Sequence, residues 1–235
     1  MNNKAIIQAM KQRVYEANLA LPKLGLVKLT WGNVSEINRS LGIIVIKPSG
    51  VDYDQLKIED MVVLDLDGKI VEGNKRPSSD SPTHIELYKT FTKIGGITHT
   101  HSKHATMFAQ ACKEIPCLGT THADHFYGTI PVTRFLTETE VDSGYEKNTG
   151  ALIIERFKDL DPVSMPGVLV AGHAPFTWGK NAVDSVKNGL ILERIAEMAL
   201  GTFQLKSDVN DLPQYIKEKH YQRKHGPNAY YGQKK

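Results

Sequence analysis

Apolar positions recur every three or four residues in two long stretches of the chain, and this spacing predicts amphipathic helices. The first stretch covers residues 4–21, and Pro22 and Gly25 are expected to end it. The second covers residues 182–205, and Asn181 offers a capping side chain just before its first turn. Shorter helical patterns are predicted over residues 82–91, with Ser81 as N-cap, 103–113, with Ser102 as N-cap, 138–142 and 146–157.

Short apolar and β-branched runs between these helices predict strands. Residues 61–66 and 69–71 flank an Asp-Gly turn, which is typical of a hairpin, so at least part of the sheet is expected to be antiparallel. Residues 120–127 are polar and aromatic without a clear period, and we expect a loop there. Further strands are predicted at residues 42–46, 97–101, 128–135 and 167–173.

Composition and charge narrow the class of protein. A chain of 235 residues with 40% hydrophobic residues and no linker or repeat predicts one domain over residues 1–235. A net charge of +3 is too small to favour nucleic acid as a partner. Cys112 and Cys117 are too few for a zinc knuckle or a disulfide framework and are interpreted as cytosolic thiols. No signal-like start and no apolar run of about 18 residues is present, which predicts a cytoplasmic protein without a membrane partner.

Histidines at the ends of two predicted strands are the strongest chemical signal. On a strand, His99 and His101 project from the same face, roughly 6.6 Å apart along the backbone, and can converge on one metal ion. His173 ends a second apolar strand and would complete three nitrogen ligands with open positions, the pattern of a catalytic metal site. The alternative is that the pair arises by chance and that His173 is structural.

Two polar segments could hold a phosphate. Lysine, hydroxyl and glycine N–H groups follow the strand at 42–46, and two serines precede the helix at 82–91. The alternative for the first segment is an ordinary turn. The chain contains no Gly-x-Gly, so no nucleotide cofactor is expected. The candidate residues are Lys47, Ser49, Gly50, Ser78 and Ser79.

Other ionisable residues remain open to two interpretations. Asp80 either caps the following helix or faces the metal, and Asp124 is either a general base or a partner of a neighbouring histidine. His104 is expected to point away from the strand pair. The basic segment at 215–235 is either a frayed tail or a lid that brings His220, Arg223 and a tyrosine to an anionic substrate.

Seven segments, in this order, resemble the class II sugar-phosphate aldolase family, specifically its epimerase branch. They are LTWGNVS (29–35), IKPSGVDY (46–53), PSSD (77–80), THTHSKH (98–104), GTTHAD (119–124), residues 166–170 with HAPF (173–176), and residues 221–233. The resemblance implies an α/β fold with three layers, in which a mostly antiparallel sheet lies between helices on both faces. It also implies zinc, or another divalent ion such as manganese, and a cyclic homotetramer with active sites between subunits.

The activity that this resemblance implies is the interconversion of L-ribulose 5-phosphate and D-xylulose 5-phosphate by cleavage and re-formation of C3–C4. Because close aldolase relatives usually carry glutamate at the position of Asp80, this aspartate favours the epimerase. Transferred position by position, the metal ligands are His99, His101 and His173, with Asp80 as a candidate fourth; the phosphate positions are Gly32, Asn33, Ser49, Gly50, Ser78 and Ser79; the acid/base pair is Asp124 and Tyr231; and His220 and Arg223 support them.

Two alternatives stay open at this point. A class II aldolase would use the same metal site but release its aldehyde. A non-catalytic interaction module resembling the adducin head would lack the catalytic metal, and the intact histidine trio argues against it. The sequence does not distinguish a role in L-arabinose catabolism from one in L-ascorbate catabolism, and only the resemblance selects Tyr231 over Tyr230.

Overall fold

A computed structural model describes residues 2–231. The end of the C-terminal segment that carries the family resemblance, including Gly232 and Gln233, lies outside this range. The elements, in chain order, are α1 (Asn3–Lys23), β1 (Asn33–Asn38), β2 (Ile43–Ile46), β3 (Val62–Asp65), β4 (Ile70–Glu72), α2 (Ser81–Thr90), β5 (Gly96–His99), α3 (Lys103–Gln110), α4 (Thr120–Ala123), α5 (Glu138–Arg156), β6 (Gly167–Leu169), β7 (Pro175–Gly179), α6 (Ala182–Leu205) and α7 (Gln214–His225).

The strands form one sheet of seven, in the order β4-β3-β2-β1-β5-β7-β6. Each neighbouring pair of these strands is antiparallel, so the predicted antiparallel sheet is confirmed. The interior strand β5 pairs with β1 on one side and β7 on the other, and His99 lies opposite both Asn33 and Phe176. The end of β5 is therefore enclosed by two neighbouring strands, which provide a rigid base for a site.

Side chains alternate between the two faces of the sheet, and helices cover both. On one face, α1 and the first half of α6 pack on the strands, and Thr98 Oγ1 lies 2.7 Å from Ser185 Oγ. On the other face, α2 and α5 cover Trp178, whose ring centroid lies 5.3 Å from that of Phe91 and 5.1 Å from that of Phe157. This arrangement is the predicted three-layer α/β architecture.

Local sequence signals account for the two long helices. Asn181 Oδ1 accepts the backbone N–H of Asp184 at 2.9 Å, so α6 begins where the capping residue predicts. Helix α1 includes Pro22, which was expected to end it, and stops at Lys23, two residues before Gly25, whose φ is 72°. Its apolar side chains are buried against the sheet, and burying each large one stabilises the fold by about 1.5–3 kcal/mol.

Several predicted element boundaries were wrong. Residues 128–135 form only isolated bridges, Ile115 with Ile130 and Val132 with Leu169, because Pro131 has no N–H for a ladder. The predicted loop at 120–127 begins with α4, and the strands predicted to reach residues 101 and 173 end at His99 and Leu169. Helix α2 starts at Ser81 itself, whose hydroxyl donates to Ser78 O at 2.6 Å, so Asp80 and not Ser81 occupies the N-cap position.

Within residues 2–231, none of the helices combines the length and the apolar character that crossing a membrane requires.

Candidate active site

Three histidines meet where β5 ends and β7 begins. The ring of His99 stacks on Phe176 with centroids 4.1 Å apart, and His99 Nδ1 lies 3.0 Å from Pro175 O. Because a carbonyl oxygen only accepts, His99 Nδ1 carries the proton and Nε2 keeps a free lone pair. His101 follows the strand, and His173 lies on the turn between β6 and β7.

The spacing of the three rings matches a metal site. One ring nitrogen from each of His99, His101 and His173 lies within 4.8 Å of the other two. The Nε2 atoms of His99 and His101 are 3.2 Å apart. Two nitrogens bound to one tetrahedral zinc at 2.0–2.1 Å are separated by roughly 3.3 Å, so this pair already has the required spacing.

The protonation states also favour a metal. Burial, followed by the neighbouring imidazoles, lowers the pKa of His99 and of His101, and the same causes lower the pKa of His173 to about 4. Neutral imidazoles are the form that binds metal. His173 Nδ1 is buried and has no hydrogen-bond partner among residues 2–231. The donor set therefore fits a divalent ion, as the class II aldolase-like pattern implies.

Asp80 faces this site and does not cap its helix. Its side chain makes no capping bond to α2; instead Asn33 Nδ2 donates to Asp80 Oδ2 at 2.6 Å. Burial opposes ionisation, but His99, His84 and the Asn33 hydrogen bond together hold the pKa of Asp80 below its usual value. The carboxylate lines the histidine cavity, although it is not one of the three groups that converge most closely.

A cavity of about 390 Å³ opens beside the histidines, within the range of small-molecule sites. Lys47 also lines this cavity and is only 1% exposed, and burial lowers the pKa of this lysine to about 8 although Asp52 opposes the shift. An anionic group bound there would favour the charged lysine. The lining includes all seven residues predicted for phosphate binding in this part of the chain: Gly32, Asn33, Lys47, Ser49, Gly50, Ser78 and Ser79.

Gly32 is required by the geometry of this cavity. Its φ is +75°, and a Cβ added there would lie 2.7 Å from Val27 Cγ1 and 2.8 Å from His99 O. A side chain would therefore press on the carbonyl of a metal-site residue as well as strain the backbone. Gly32 leads directly into β1, where Asn33 lies opposite His99 on the neighbouring strand.

The sequence did not single out the residues that α5 brings to the cavity. Tyr145 and Glu146 line it just after Gly144, whose φ of 139° breaks the helix into two parts. Burial, followed by Asp80, raises the pKa of Tyr145. The signal that could have identified them is the Ser-Gly pair between two helical patterns, since glycine there marks a change of direction. Trp31 also lines the cavity, and its ring centroid lies 6.1 Å from that of His101.

Asp124 belongs to a second cluster, formed by α4 and α7. Arg223 Nε and Nη2 contact its two carboxylate oxygens at 3.0 and 2.8 Å, and His220 Nδ1 lies 3.0 Å from Oδ1. Burial opposes ionisation, but the hydrogen bonds from Arg223 and His220 and the charge of Lys224 hold the pKa of Asp124 below its usual value. Residues 214–225, part of the segment left open as a frayed tail or a lid, form helix α7. Asp124, His220 and Arg223 do not line the histidine cavity of their own chain.

The two adjacent tyrosines near the C-terminus differ in their neighbours. Arg223 Cζ lies 4.8 Å and Lys224 Nζ 4.5 Å from the ring centroid of Tyr231, whereas Tyr230 has Lys219 Nζ at 5.2 Å. Both tyrosines are more than half exposed, and neither lines the histidine cavity of this chain.

His104 points away from the histidine cluster, as expected. Its Nδ1 lies 2.8 Å from Glu193 Oε1, and Glu193, not Ser102, accepts the first N–H groups of α3.

Residues 12–200 match the family model described as the Class II Aldolase and Adducin N-terminal domain. The chain belongs to this family. Among its members, L-ribulose-5-phosphate 4-epimerase UlaF of Salmonella paratyphi C (strain RKS4594) is 54% identical over 228 residues, which cover 97% of this chain and 100% of the relative. UlaF of Salmonella typhi has the same identity and coverage. The family resemblance inferred from the motifs is therefore confirmed.

Solved structures of more distant members have the same fold. An L-fuculose 1-phosphate aldolase superposes with a TM-score of 0.77 at 24% identity, covering 92% of this chain and 95% of its own. YgbL of Klebsiella pneumoniae, described as a putative aldolase/epimerase/decarboxylase, gives a TM-score of 0.73 at 19% identity, with coverage of 91% and 98%. At these identities the likeness supports the class II aldolase fold and says nothing about the reaction.

Proposed function

We propose that this chain is an isomerase that interconverts L-ribulose 5-phosphate and D-xylulose 5-phosphate. The observation that carries this proposal is the 54% identity over 97% of the chain with relatives named L-ribulose-5-phosphate 4-epimerase. The site adds the groups that such a substrate needs: a polar cavity for its phosphate and a histidine cluster that fits a divalent ion.

The phosphate is held at the end of the cavity away from the histidines. Ser49, Ser78 and Ser79 offer hydroxyl donors there, and the positive φ of Gly50 leaves the backbone open to an approaching anion. Lys47, buried behind them, supplies positive charge. Anchoring through the phosphate keeps the aldehyde fragment in the site after the carbon chain is cleaved, which an epimerase requires.

His99, His101 and His173 are the residues that would hold the metal, with Asp80 as a candidate fourth ligand and zinc as the expected ion. When bound, a divalent ion supplies Lewis-acid polarisation of the substrate carbonyl. Asn33 fixes the orientation of Asp80 through the 2.6 Å hydrogen bond.

Asp124 and Tyr231 are the proposed acid/base pair at the C4 hydroxyl. One of them takes the hydroxyl proton as the C3–C4 bond breaks, and the electron pair of that bond becomes conjugated with the C2 carbonyl. The aldehyde then presents its other face, C3 adds back, and the second residue returns the proton to the C4 oxygen. Two groups on opposite sides are needed because the oxygen changes side.

We infer that these two residues come from a second subunit. Asp124, His220 and Arg223 form a cluster of their own and do not line the histidine cavity of the same chain. We therefore propose a cyclic homotetramer in which one chain supplies the histidines and its neighbour supplies Asp124 and Tyr231. In a closed ring each such interface is equivalent, so every site is completed.

A single NMR experiment tests the reaction. Incubated with L-ribulose 5-phosphate in D₂O, the metal-loaded protein is expected to form D-xylulose 5-phosphate that retains the original hydrogen at C4. Removal of that hydrogen is unfavourable because it is β to the carbonyl and yields no stabilised carbanion. Deuterium at C4 would contradict bond cleavage, and accumulation of free glycolaldehyde phosphate would favour the alternative, a class II aldolase.

A further inference from the structure

A second cavity, larger than the histidine cavity, lies at the opposite end of strands β5 and β7. His99 pairs with Phe176 at one end of this strand pair, and Gly96 pairs with Gly179 at the other, roughly 10 Å away along the strands. The cavity opens at the Gly179 end and measures about 510 Å³, against about 390 Å³ for the histidine cavity. It shares no lining residue with the histidine cavity.

The lining of this second cavity is strongly basic. Four lysines and two histidines face it, whereas Asp184 is its only carboxylate among the described lining residues, and Asp184 Oδ2 already accepts the backbone N–H of Lys180 at 3.1 Å. The chain as a whole has a net charge of only +3, so these lysines concentrate positive charge in one place. The basic residues are Lys93, Lys180, Lys187, Lys224, His125 and His225.

Three of the lysines have no acidic partner within residues 2–231. Lys93, Lys180 and Lys187 form no ion pair there, and all three line the same cavity. Like charges around a shared cavity repel one another, and bringing in an anion relieves that repulsion.

The fourth lysine, Lys224, pairs with Asp124 Oδ2 at 3.5 Å and also contacts a histidine of the cavity. Lys224 Nζ lies 3.2 Å from His125 Nε2, and an ammonium can only donate, so His125 is neutral here. Burial, then Lys224 and Lys187, lower the pKa of His125 to about 4. Burial is the larger cause of this shift, but the two lysines add to it, so the positive charge of the lining is felt at His125.

We propose that this second cavity binds a small molecule that carries two or more phosphate groups. Its volume suits a metabolite of that size, and lysines spread around it suit several phosphates better than one. A single phosphate would contact one or two of the lysines and leave the others unpaired. Lys224 contacts Asp124 Oδ2 at 3.5 Å and so borders the proposed shared active site, but Lys93, Lys180 and Lys187 lie outside that cluster. The inference therefore does not depend on the reaction proposed above.

Binding is measured with fructose 1,6-bisphosphate as the probe, by calorimetry on the metal-loaded protein at low ionic strength. The double variant Lys93→Ala/Lys187→Ala is expected to lose about tenfold or more in affinity, since each lysine–phosphate contact is a charge-assisted hydrogen bond. Lys4→Ala/Lys89→Ala removes the same charge from exposed helical positions outside the cavity and is the matched control. Binding should also weaken as salt is added.

The two tryptophans locate the bound probe. Trp178 lines the second cavity and Trp31 lines the histidine cavity, and the chain contains no other tryptophan. In a Trp31→Phe background, the bisphosphate is expected to change the fluorescence of Trp178, and the Lys93/Lys187 substitutions should abolish that change at the same concentration. Equal affinity of the double variant and the wild type, binding reported only by Trp31, or no binding at all would each overturn the proposal.

Discussion

Arg223 contacts both carboxylate oxygens of Asp124, with Nε 3.0 Å from Oδ1 and Nη2 2.8 Å from Oδ2. This bidentate pair joins helix α7 to α4 across 99 positions of sequence. It keeps Asp124 ionised and fixes its orientation, which a group that must accept a proton requires. His220 adds a third contact from the same helix at 3.0 Å.

Removing this contact is expected to raise the pKa of Asp124. In Arg223→Gln, burial still raises the pKa of Asp124, while the hydrogen bond that lowers it most is lost. Since the ionised form dominates only above the pKa, the acidic limb of activity should move to higher pH. Titration of the ¹³C-labelled carboxyl by NMR measures the shift. Arg194→Gln, which breaks an exposed pair with Glu197, is the control; an unchanged Asp124 titration in Arg223→Gln would contradict the expectation.

Metal content tests the histidine cluster. His173→Asn should lower the bound divalent ion from one per chain to a small fraction, because only two of the three converging nitrogens remain. Elemental analysis of the purified variant measures this directly. His104→Asn is the matched control, since His104 contacts Glu193 and not the cluster. Full metal retention in both His173→Asn and His99→Asn would remove the ligand assignment.

The fold was predictable where the decisive signals are local. Asn181 and the apolar period after it predict α6 over its observed length, and the Asp-Gly turn predicts the β3–β4 hairpin. The strand predicted at 128–135 does not form, because Pro131 lacks the backbone N–H that a β-ladder needs. The β-propensity of the residues favours a strand here, but strand pairing also requires backbone N–H donors, and Pro131 has none.

The site was predictable only in part, for a related reason. The three predicted histidines do converge, but not on strands as predicted: His101 follows the end of β5, and His173 lies four residues after the end of β6. The partnership of Asp124 with Arg223 depends on how α7 packs on α4, and no spacing in the sequence encodes it. Tyr145 reaches the histidine cavity only because Gly144 redirects α5. Contacts of this kind between distant segments have no local signal.

Adjacent tyrosines allow a test of the acid/base assignment. Tyr231→Phe should reduce kcat by roughly 10²–10⁴-fold, the usual contribution of a positioned proton donor, with a smaller change in KM. Tyr230→Phe removes the same hydroxyl one residue earlier and should cost little. The reason is that Tyr231 packs against Arg223, which binds Asp124, and against Lys224, whereas Tyr230 packs against Lys219. A larger loss in Tyr230→Phe would reverse the assignment.

Mixed oligomers test whether sites are shared between subunits. His99→Asn and Asp124→Asn should each be inactive alone. When the two chains are co-assembled, some sites combine intact histidines from one chain with an intact Asp124 from its neighbour. In a cyclic assembly with random 1:1 mixing, about a quarter of the sites are restored. Activity of separately tagged, co-purified mixtures measures this, and a mixture as inactive as its components would place the whole site within one chain.

The last prediction concerns stability in acid. His122 is buried, its Nε2 lies 2.8 Å from Gly128 O, and its Nδ1 has no partner within residues 2–231. Burial lowers the pKa of His122 to about 4, against about 6.5 in an unfolded chain. Between these values the unfolded state binds more protons, so this residue destabilises the fold increasingly as pH falls from about 6.5 to 4. The total is on the order of 3 kcal/mol, at 1.36 kcal/mol for each pKa unit.

His122→Gln can still donate to Gly128 O but does not titrate, so urea unfolding at pH 7 and pH 4.5 should show a smaller loss of stability than in the wild type. Thr121→Ala, at the exposed neighbouring position, should keep the wild-type loss. If His122→Gln loses as much stability as Thr121→Ala between the two pH values, His122 is not held neutral by the fold.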